Sequence, residues 1–310
     1  HACQISPGKH GICRVRKNID GKLVSLNYGH VASLGLDPIE KKPLFHFHPG
    51  SLVLSLGTYG CNLSCQFCQN WQLSQTTPSK QVSHMCSVYK KKHEQVIGVA
   101  HTYNEPTVWY EFIEESAQAV KDKGLSNVLV TNGYISKEPL RHLLPFVDAM
   151  NVDIKAWDDR FYKRIAGGRL RPVLETVEAA CEARVWVEVT YLVVPGENDN
   201  DEDIGQLTSW LKGVDENIVL HLSRYFPAYN FDRPPTPLAT LERLGDLARE
   251  NLDHVYIGNA WKKGYSDTVC PNCGEMLLER GALELEKVNL ENGACQNCSQ
   301  ALKFRGKVWV

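Results

Sequence analysis

From Ser51 onward the chain alternates short apolar runs with longer stretches in which apolar residues recur three to four positions apart. The first pattern suits a strand buried on both faces and the second an amphipathic helix. Residues 52–56, 96–101, 127–131, 149–154, 185–193 and 218–223 predict strands, with a weaker one at 254–257. Residues 107–123, 137–146, 170–183, 201–212 and 237–251 predict helices, several entered through the Ser, Asp or Pro that helix starts favour. Repeated strand–helix units imply a parallel sheet with right-handed crossovers, and six or seven of them make a partial or full barrel. The expected fold class is α/β, a partial (β/α)6-type TIM barrel with an N-terminal extension and a C-terminal zinc-ribbon-like module.

A barrel of this kind draws its functional side chains from the C-terminal ends of its strands. The polar residues of chemical interest fall there: Thr102 to Pro106 after the second strand, Thr131-Asn132-Gly133 after the third, Asp153 and Lys155 at the fourth, Glu188 and Thr190 late in the fifth, His221 and Arg224 at the sixth. Taken singly, each is more often a strand cap or turn residue; their common placement on one rim points to a site. After the first strand, Cys61, Cys65 and Cys68 lie within Gly57 to Trp71 with three and then two residues between them. Thiolates on so short a loop can converge on one metal centre, and three ligands are one fewer than a closed zinc or ordinary iron-sulfur site takes.

Residues 1–50 carry no long periodic run, and short candidates such as 22–27 suggest a hairpin-rich extension. His46 and His48 share a face of an extended segment, and with no carboxylate or cysteine beside them they read as structural. Cys3 and Cys13 fall short of a four-ligand site; free thiols, borrowed ligands or ligands preceding His1 each fit them. Cys270-x2-Cys273 and Cys295-x2-Cys298, 21 residues apart, have the spacing of a closed tetrahedral site, with zinc favoured over an iron-sulfur centre and a structural role expected. Eleven cysteines clustered in this way suit metal binding in a reducing compartment better than disulfides, and Cys86 and Cys181 read as buried thiols.

Composition narrows the partners. A net charge of -2 in 310 residues gives no general basic surface for nucleic acid. No apolar run reaches the roughly 18 residues that cross a bilayer, and a cytoplasmic location is expected. The divisions expected are an extension at 1–50, a barrel at 51–265 and a four-cysteine zinc-ribbon-like module at 266–310.

The Cys-x3-Cys-x2-Cys loop after a first strand, with Phe67 before the third cysteine, resembles the radical SAM superfamily. The resemblance implies a [4Fe-4S] cluster on Cys61, Cys65 and Cys68 whose fourth iron chelates S-adenosylmethionine (SAM), and reductive cleavage of SAM to a 5'-deoxyadenosyl radical that abstracts hydrogen from a substrate. Within the superfamily the chain is similar to pyruvate formate-lyase activating enzymes. There a Gly-Gly-Glu segment holds the SAM amino group; here the position reads Tyr103-Asn104-Glu105, with the glutamate kept and the glycines replaced. Thr131-Asn132-Gly133 resembles a segment near the ribose, Asp153-Ile154-Lys155 an Asp-x-Lys element facing the SAM carboxylate, and His221 a histidine beside the cofactor. The cofactor contacts so implied are Phe67, Asn104, Glu105, Asn132, Asp153, Lys155, Thr190, His221 and Arg224. Over about residues 1–260, Leu36 to Leu44 with His46 and His48, Cys68 to Trp71, Tyr103 to Thr107 and Ser223 to Pro227 resemble the AmmeMemoRadiSam-system radical SAM enzymes, which carry a further cysteine pair upstream of Cys3.

An activating enzyme acts on a glycine of a partner protein and draws electrons from flavodoxin or ferredoxin. A small metabolite or peptide is the competing substrate, favoured if residues 1–50 cover the lumen. An iron-sulfur electron carrier or zinc-ribbon interaction protein is the third reading, disfavoured because neither needs a SAM carboxylate partner or a vacant iron.

Overall fold

The computed structural model describes residues 3–75, 94–281 and 283–309; Cys86 lies outside them. A hairpin of β1 (Arg16–Ile19) and β2 (Lys22–Ser25) precedes β3 (Ser33–Pro38). The barrel strands are β4 (Leu52–Gly57), β5 (Val96–His101), β6 (Ser126–Thr131), β7 (Ala149–Ile154), β8 (Trp186–Val193), β9 (Val219–Arg224) and β10 (Val255–Gly258). Interleaved are the helices α1 (Trp71–Ser74), α2 (Tyr110–Lys121), α3 (Lys137–Leu143), α4 (Asp159–Phe161), α5 (Leu170–Glu182), α6 (Asp201–Val214) and α7 (Leu238–Arg249).

The eight-stranded sheet runs in the order β10-β9-β8-β7-β6-β5-β4-β3. β4 to β10 are mutually parallel, as the alternation of runs and helices predicts, and β3 adds an antiparallel edge. The barrel is therefore open. Its long strands are apolar on both faces because helices cover one side and the lumen the other. α5 shows the arrangement: Val173, Val177 and Ala180 are wholly buried, on the stripe that faces β7 and β8. Burying each valine contributes about 1.5–3 kcal/mol. The entry to α6 follows the expected chemistry, with the Asn200 side chain accepting from the Asp203 amide at 2.8 Å and Asp201, Glu202 and Asp203 in the first turn.

β3 was not legible as a strand of this sheet. Its alternation is inverted: Leu34 and Leu36 are exposed at the edge, whereas Asp37 is buried. After it the chain passes as residues 39–49 between the barrel and the four-cysteine module, and the backbones of His46, His48 and Pro49 bond to Arg305 and Trp309. The module carries the short strands expected between its knuckles: β11 (Thr268–Val269) pairs with β12 (Met276–Gly281), β12 with β13 (Glu284–Val288), and β14 (Leu290–Glu291) with β15 (Ala294–Cys295). No described helix is long and apolar enough to cross a membrane.

Candidate active site

The three-cysteine loop leaves β4 through Gly60, whose φ of +89° and closeness to its neighbours exclude a side chain; a Cβ there would lie 2.5 Å from the Cys13 carbonyl. Asn104 pins the same turn, accepting from the Thr58 amide at 3.0 Å and donating to the Gly60 carbonyl at 2.8 Å. On its far side a π-helical turn, Tyr162–Ala166, turns carbonyls toward the loop. Ser64 N reaches Ala166 O at 2.8 Å, Gln66 N reaches Ile165 O at 3.0 Å, and Gln66 Nε2 reaches Arg164 O at 2.9 Å.

Within this frame the Cys61 sulfur accepts from Leu63 N at 3.4 Å and from Asn132 Nδ2 at 3.6 Å. Cys68 Sγ lies 3.1 Å from Ser74 Oγ, and Cys65 is buried. Burial pushes the Cys61 and Cys65 thiols up, Cys65 to about 12 in spite of Lys155 nearby. In the protein alone these two groups stay protonated, and a metal centre supplies the positive charge that makes them thiolates. All three cysteines line a cavity of 590 Å³ at the C-terminal ends of the strands, and among the described residues no fourth cysteine lies on its wall. The donor set thus fits a [4Fe-4S] cluster with one iron left for another ligand.

Phe67, Asn104, Glu105, Asn132, Asp153 and Lys155 line the same cavity. Phe67 packs inward, 5.9 Å from the Phe161 ring and 6.3 Å from the Phe231 ring. Asp153 Oδ2 holds Lys155 Nζ at 2.9 Å. Burial opposes the charge on Lys155, but the Asp153 carboxylate outweighs it and holds the ammonium above its ordinary range. The Lys155 amide is fixed in turn by Tyr162, whose hydroxyl accepts from it at 2.9 Å. Glu105 accepts from Thr107 N, Thr131 Oγ1 and Asn132 N, at 2.9, 2.8 and 2.8 Å. It caps the turn that leads into α2 and ties the ends of β5 and β6 together. Burial raises its pKa against those three donors.

Three of the expected residues lie elsewhere. Thr190 and His221 line a second cavity, of 510 Å³, bounded by residues 40–45, the ends of β8 to β10 and the four-cysteine module. His221 Nε2 is 2.7 Å from the wholly buried Glu188, which also accepts from the Phe45 and His46 amides at 2.9 and 2.8 Å. Thr190 Oγ1 donates to Asn151 at 3.0 Å. The Arg224 guanidinium donates to Thr236 O at 2.8 Å and lines neither cavity. The first cavity also holds Tyr103, which the sequence placed on the rim without a contact of its own, and Lys41 and Lys42, to which the sequence pattern gave no role. The local pattern, Asp37-Pro38-Ile39-Glu40-Lys41-Lys42, reads as mixed surface charge and does not single out the lysines.

The cysteines of the C-terminal module converge as expected. Their four sulfurs lie within 4.8 Å of one another, with Cys270–Cys298 at 3.6 Å and Cys273–Cys295 at 3.7 Å. Sulfurs around one tetrahedral ion with bonds of about 2.3 Å lie roughly 3.8 Å apart, so the spacing fits a single metal ion. His46 and His48 are structural: His46 Nε2 lies 2.6 Å from Tyr256 OH, and His48 Nδ1 accepts from Lys307 N at 3.3 Å. Cys13 is buried and Cys3 exposed, while Cys181 is half-buried where a buried thiol is expected.

Residues 55–208 match the family described as Radical SAM superfamily. The chain is 44% identical over 310 residues to Uncharacterized protein MJ0808 of Methanocaldococcus jannaschii, covering 97% of this chain and 92% of that one. It is 27% identical over 163 residues to the pyruvate formate-lyase 1-activating enzyme of Escherichia coli K12, covering 50% of this chain and 66% of that one. Among solved structures, Streptococcus suis SuiB bound to S-adenosylmethionine superposes with a TM-score of 0.52 at 16% identity, over 68% of this chain and 52% of that one, a likeness of fold. Family match, fold and the three-cysteine cavity agree, and the chain is an enzyme of the radical SAM superfamily, related to the pyruvate formate-lyase activating enzymes.

Proposed function

We propose that this chain uses a [4Fe-4S] cluster on Cys61, Cys65 and Cys68 to cleave SAM reductively, and that the resulting 5'-deoxyadenosyl radical abstracts hydrogen from a small substrate. The observation that carries this reading is the pairing of two cavities. One holds the three cysteines with Asp153 and Lys155, and the other adjoins it under the N-terminal segment and the four-cysteine module. In the first, Lys155 binds the SAM carboxylate while Asp153 keeps it charged and aimed. Asn132 directs its amide toward the Cys61 sulfur, and Glu105 holds Asn132 in register. The N-terminal segment, through Lys41, Pro43 and Phe45, and the four-cysteine module, through Glu279, Arg280 and Leu283, both line the second cavity, which favours a small molecule over a protein loop. A single zinc ion on Cys270, Cys273, Cys295 and Cys298, and flavodoxin or ferredoxin as the electron donor, complete the reading.

The second reading, formation of a glycyl radical in a partner protein, rests on the similarity to activating enzymes. The test is anaerobic turnover of the reconstituted protein with reductant. SAM should yield 5'-deoxyadenosine, and Cys65→Ser should abolish the product; undiminished turnover in that variant would overturn the cluster assignment. Incubation with deuterated candidates then separates the readings, because only the true hydrogen donor, small molecule or glycine-labelled protein, yields deuterated 5'-deoxyadenosine.

A further inference from the structure

The N-terminal segment brings a second cationic group to the cavity wall. Asp37 receives Lys41 Nζ at 2.9 Å on one carboxylate oxygen and Lys42 Nζ at 2.7 Å on the other, and the Tyr103 hydroxyl donates to it at 2.6 Å. These contacts hold the Asp37 carboxyl well below the usual range in spite of its burial. One carboxylate against two ammonium groups leaves one positive charge uncompensated. Lys42 has no freedom to use it, being 2% exposed and lying 4.8 Å over the Tyr103 ring. Lys41 is 47% exposed and, among the described residues, is the one that lines both cavities.

The surplus charge faces little opposition in the second cavity. Glu40 is paired with Arg280 at 3.7 Å and Glu279 with Lys263 at 2.6 Å. Glu286 is exposed at the rim, where water and salt screen it. Lys155 is set deeper, tied to Asp153 and near Cys65, and is taken up by SAM in the reading above. Phe45 and Trp261 supply apolar wall, and Thr190, Ser223 and Asn259 supply polar groups. A volume of 510 Å³ lies within the range of small-molecule sites.

We propose that Lys41 anchors an anionic group, a carboxylate or a phosphate, of a small substrate that occupies the second cavity and turns its reacting carbon toward the first. This rests on the radical SAM reading of the first cavity, and the test separates the two. Cluster- and SAM-loaded protein is titrated anaerobically by calorimetry with glutarate, with glycerol 1-phosphate and with the neutral glutaramide. The expected result is saturable binding of at least one anion, no binding of glutaramide, affinity at least tenfold weaker in Lys41→Gln, and affinity within about threefold of the original in Lys41→Arg. Comparing glutarate with glycerol 1-phosphate tells a carboxylate from a phosphate site. Three outcomes overturn the proposal: no anion binds, glutaramide binds as well as glutarate, or Lys41→Gln weakens SAM binding and leaves the anions unaffected, which would make Lys41 part of the SAM site. SAM cleavage is measured on the same preparation of unaltered protein. Turnover without anion binding removes this inference alone, whereas absent turnover removes the reading beneath it.

Discussion

Lys155 illustrates how one side chain is prepared for a charged ligand. Its ammonium is buried, which disfavours the charge, yet the Asp153 carboxylate beside it holds it charged far above neutral pH. Its place at the end of β7 points it into the cavity that holds the cysteines. Replacing it with alanine removes the cation and leaves the loop of Cys61 to Cys68 intact, since that loop is fixed by Asn104 and the π-helical turn. The expected outcome is SAM affinity weakened about tenfold or more by equilibrium dialysis, equivalent to roughly 1.4 kcal/mol or more, with the visible absorbance of the cluster unchanged. Unchanged affinity would remove Lys155 from the carboxylate role. At this scale the sequence was informative where chemistry is local. Cys61, Cys65 and Cys68 read as one site because their spacing sits on one loop, and so did the two cysteine knuckles. Asp37, Lys41 and Lys42 did not, because their partner Tyr103 is 66 positions from Asp37 and nothing in the local pattern joins them. His221 and Thr190 fell on the expected rim but on its other side, since residues 40–45 divide the mouth in two.

At the scale of elements, the apolar runs located β4 to β10 within a residue or two, because burial on both faces leaves a continuous apolar stretch. β3 escaped because an edge strand with a charged inner face carries neither signature, and the π-helical turn escaped because it has no period of its own. β5 also carries a liability that its apolar pattern conceals. His101, at its end, is 1% exposed beneath Trp109, and neither ring nitrogen has a hydrogen-bond partner among the described residues. Burial lowers its pKa to about 4, whereas the unfolded chain titrates near 6.5. Between those values the unfolded state binds a proton that the folded state refuses, so stability falls as pH drops from 6.5 to about 4 and changes no further below. The loss attributable to His101 reaches about 2 kcal/mol at pH 5 and about 3 kcal/mol at the end of the window. His101→Phe fills the same apolar site without a titrating group. Urea unfolding at pH 7 and pH 5 should show a smaller acid-induced loss in that variant than in the unaltered chain. Equal losses would place the acid sensitivity at His46, His48 or His254, whose pKa values burial also lowers.

Across the whole molecule, Arg280 ties the four-cysteine module to the barrel, beside the backbone bonds at Arg305 and Trp309. β12 carries Arg280 into the end of the sheet, where its guanidinium donates to Ser266 O, Thr268 Oγ1 and Phe45 O, each at 2.8 Å. It lies 4.5 Å over the Phe45 ring, and its Nε is 3.7 Å from Glu40. Glu40 is buried and accepts from Gly50 N at 2.8 Å. The module's own apolar cluster is small, with Cys270, Leu277, Leu278 and Cys295 at its buried centre, two of which belong to the four-cysteine group that could hold a metal. A fold of that size depends on its metal for order. Removing the metal should therefore release β12, withdraw Arg280 and leave the Glu40 carboxylate buried without its cation, a situation that costs about 3–5 kcal/mol. Arg280→Met should reproduce most of that loss with the metal still bound, because the methionine keeps apolar bulk over Phe45 but supplies no charge. Adding Glu40→Gln to it should recover a large part, since a neutral amide at position 40 still accepts from Gly50 and no longer needs a cation. Chemical unfolding of the four proteins, unaltered, metal-stripped, Arg280→Met and the double variant, gives the ordering directly. If the double variant is no more stable than Arg280→Met alone, the ion pair is not what joins the module to the barrel. The packing on Phe45 and the backbone ties at Arg305 and Trp309 would then carry that role. If the pair does join them, a metal bound by the four cysteines would govern the wall of the second cavity, because Glu40, Phe45 and Arg280 all line it.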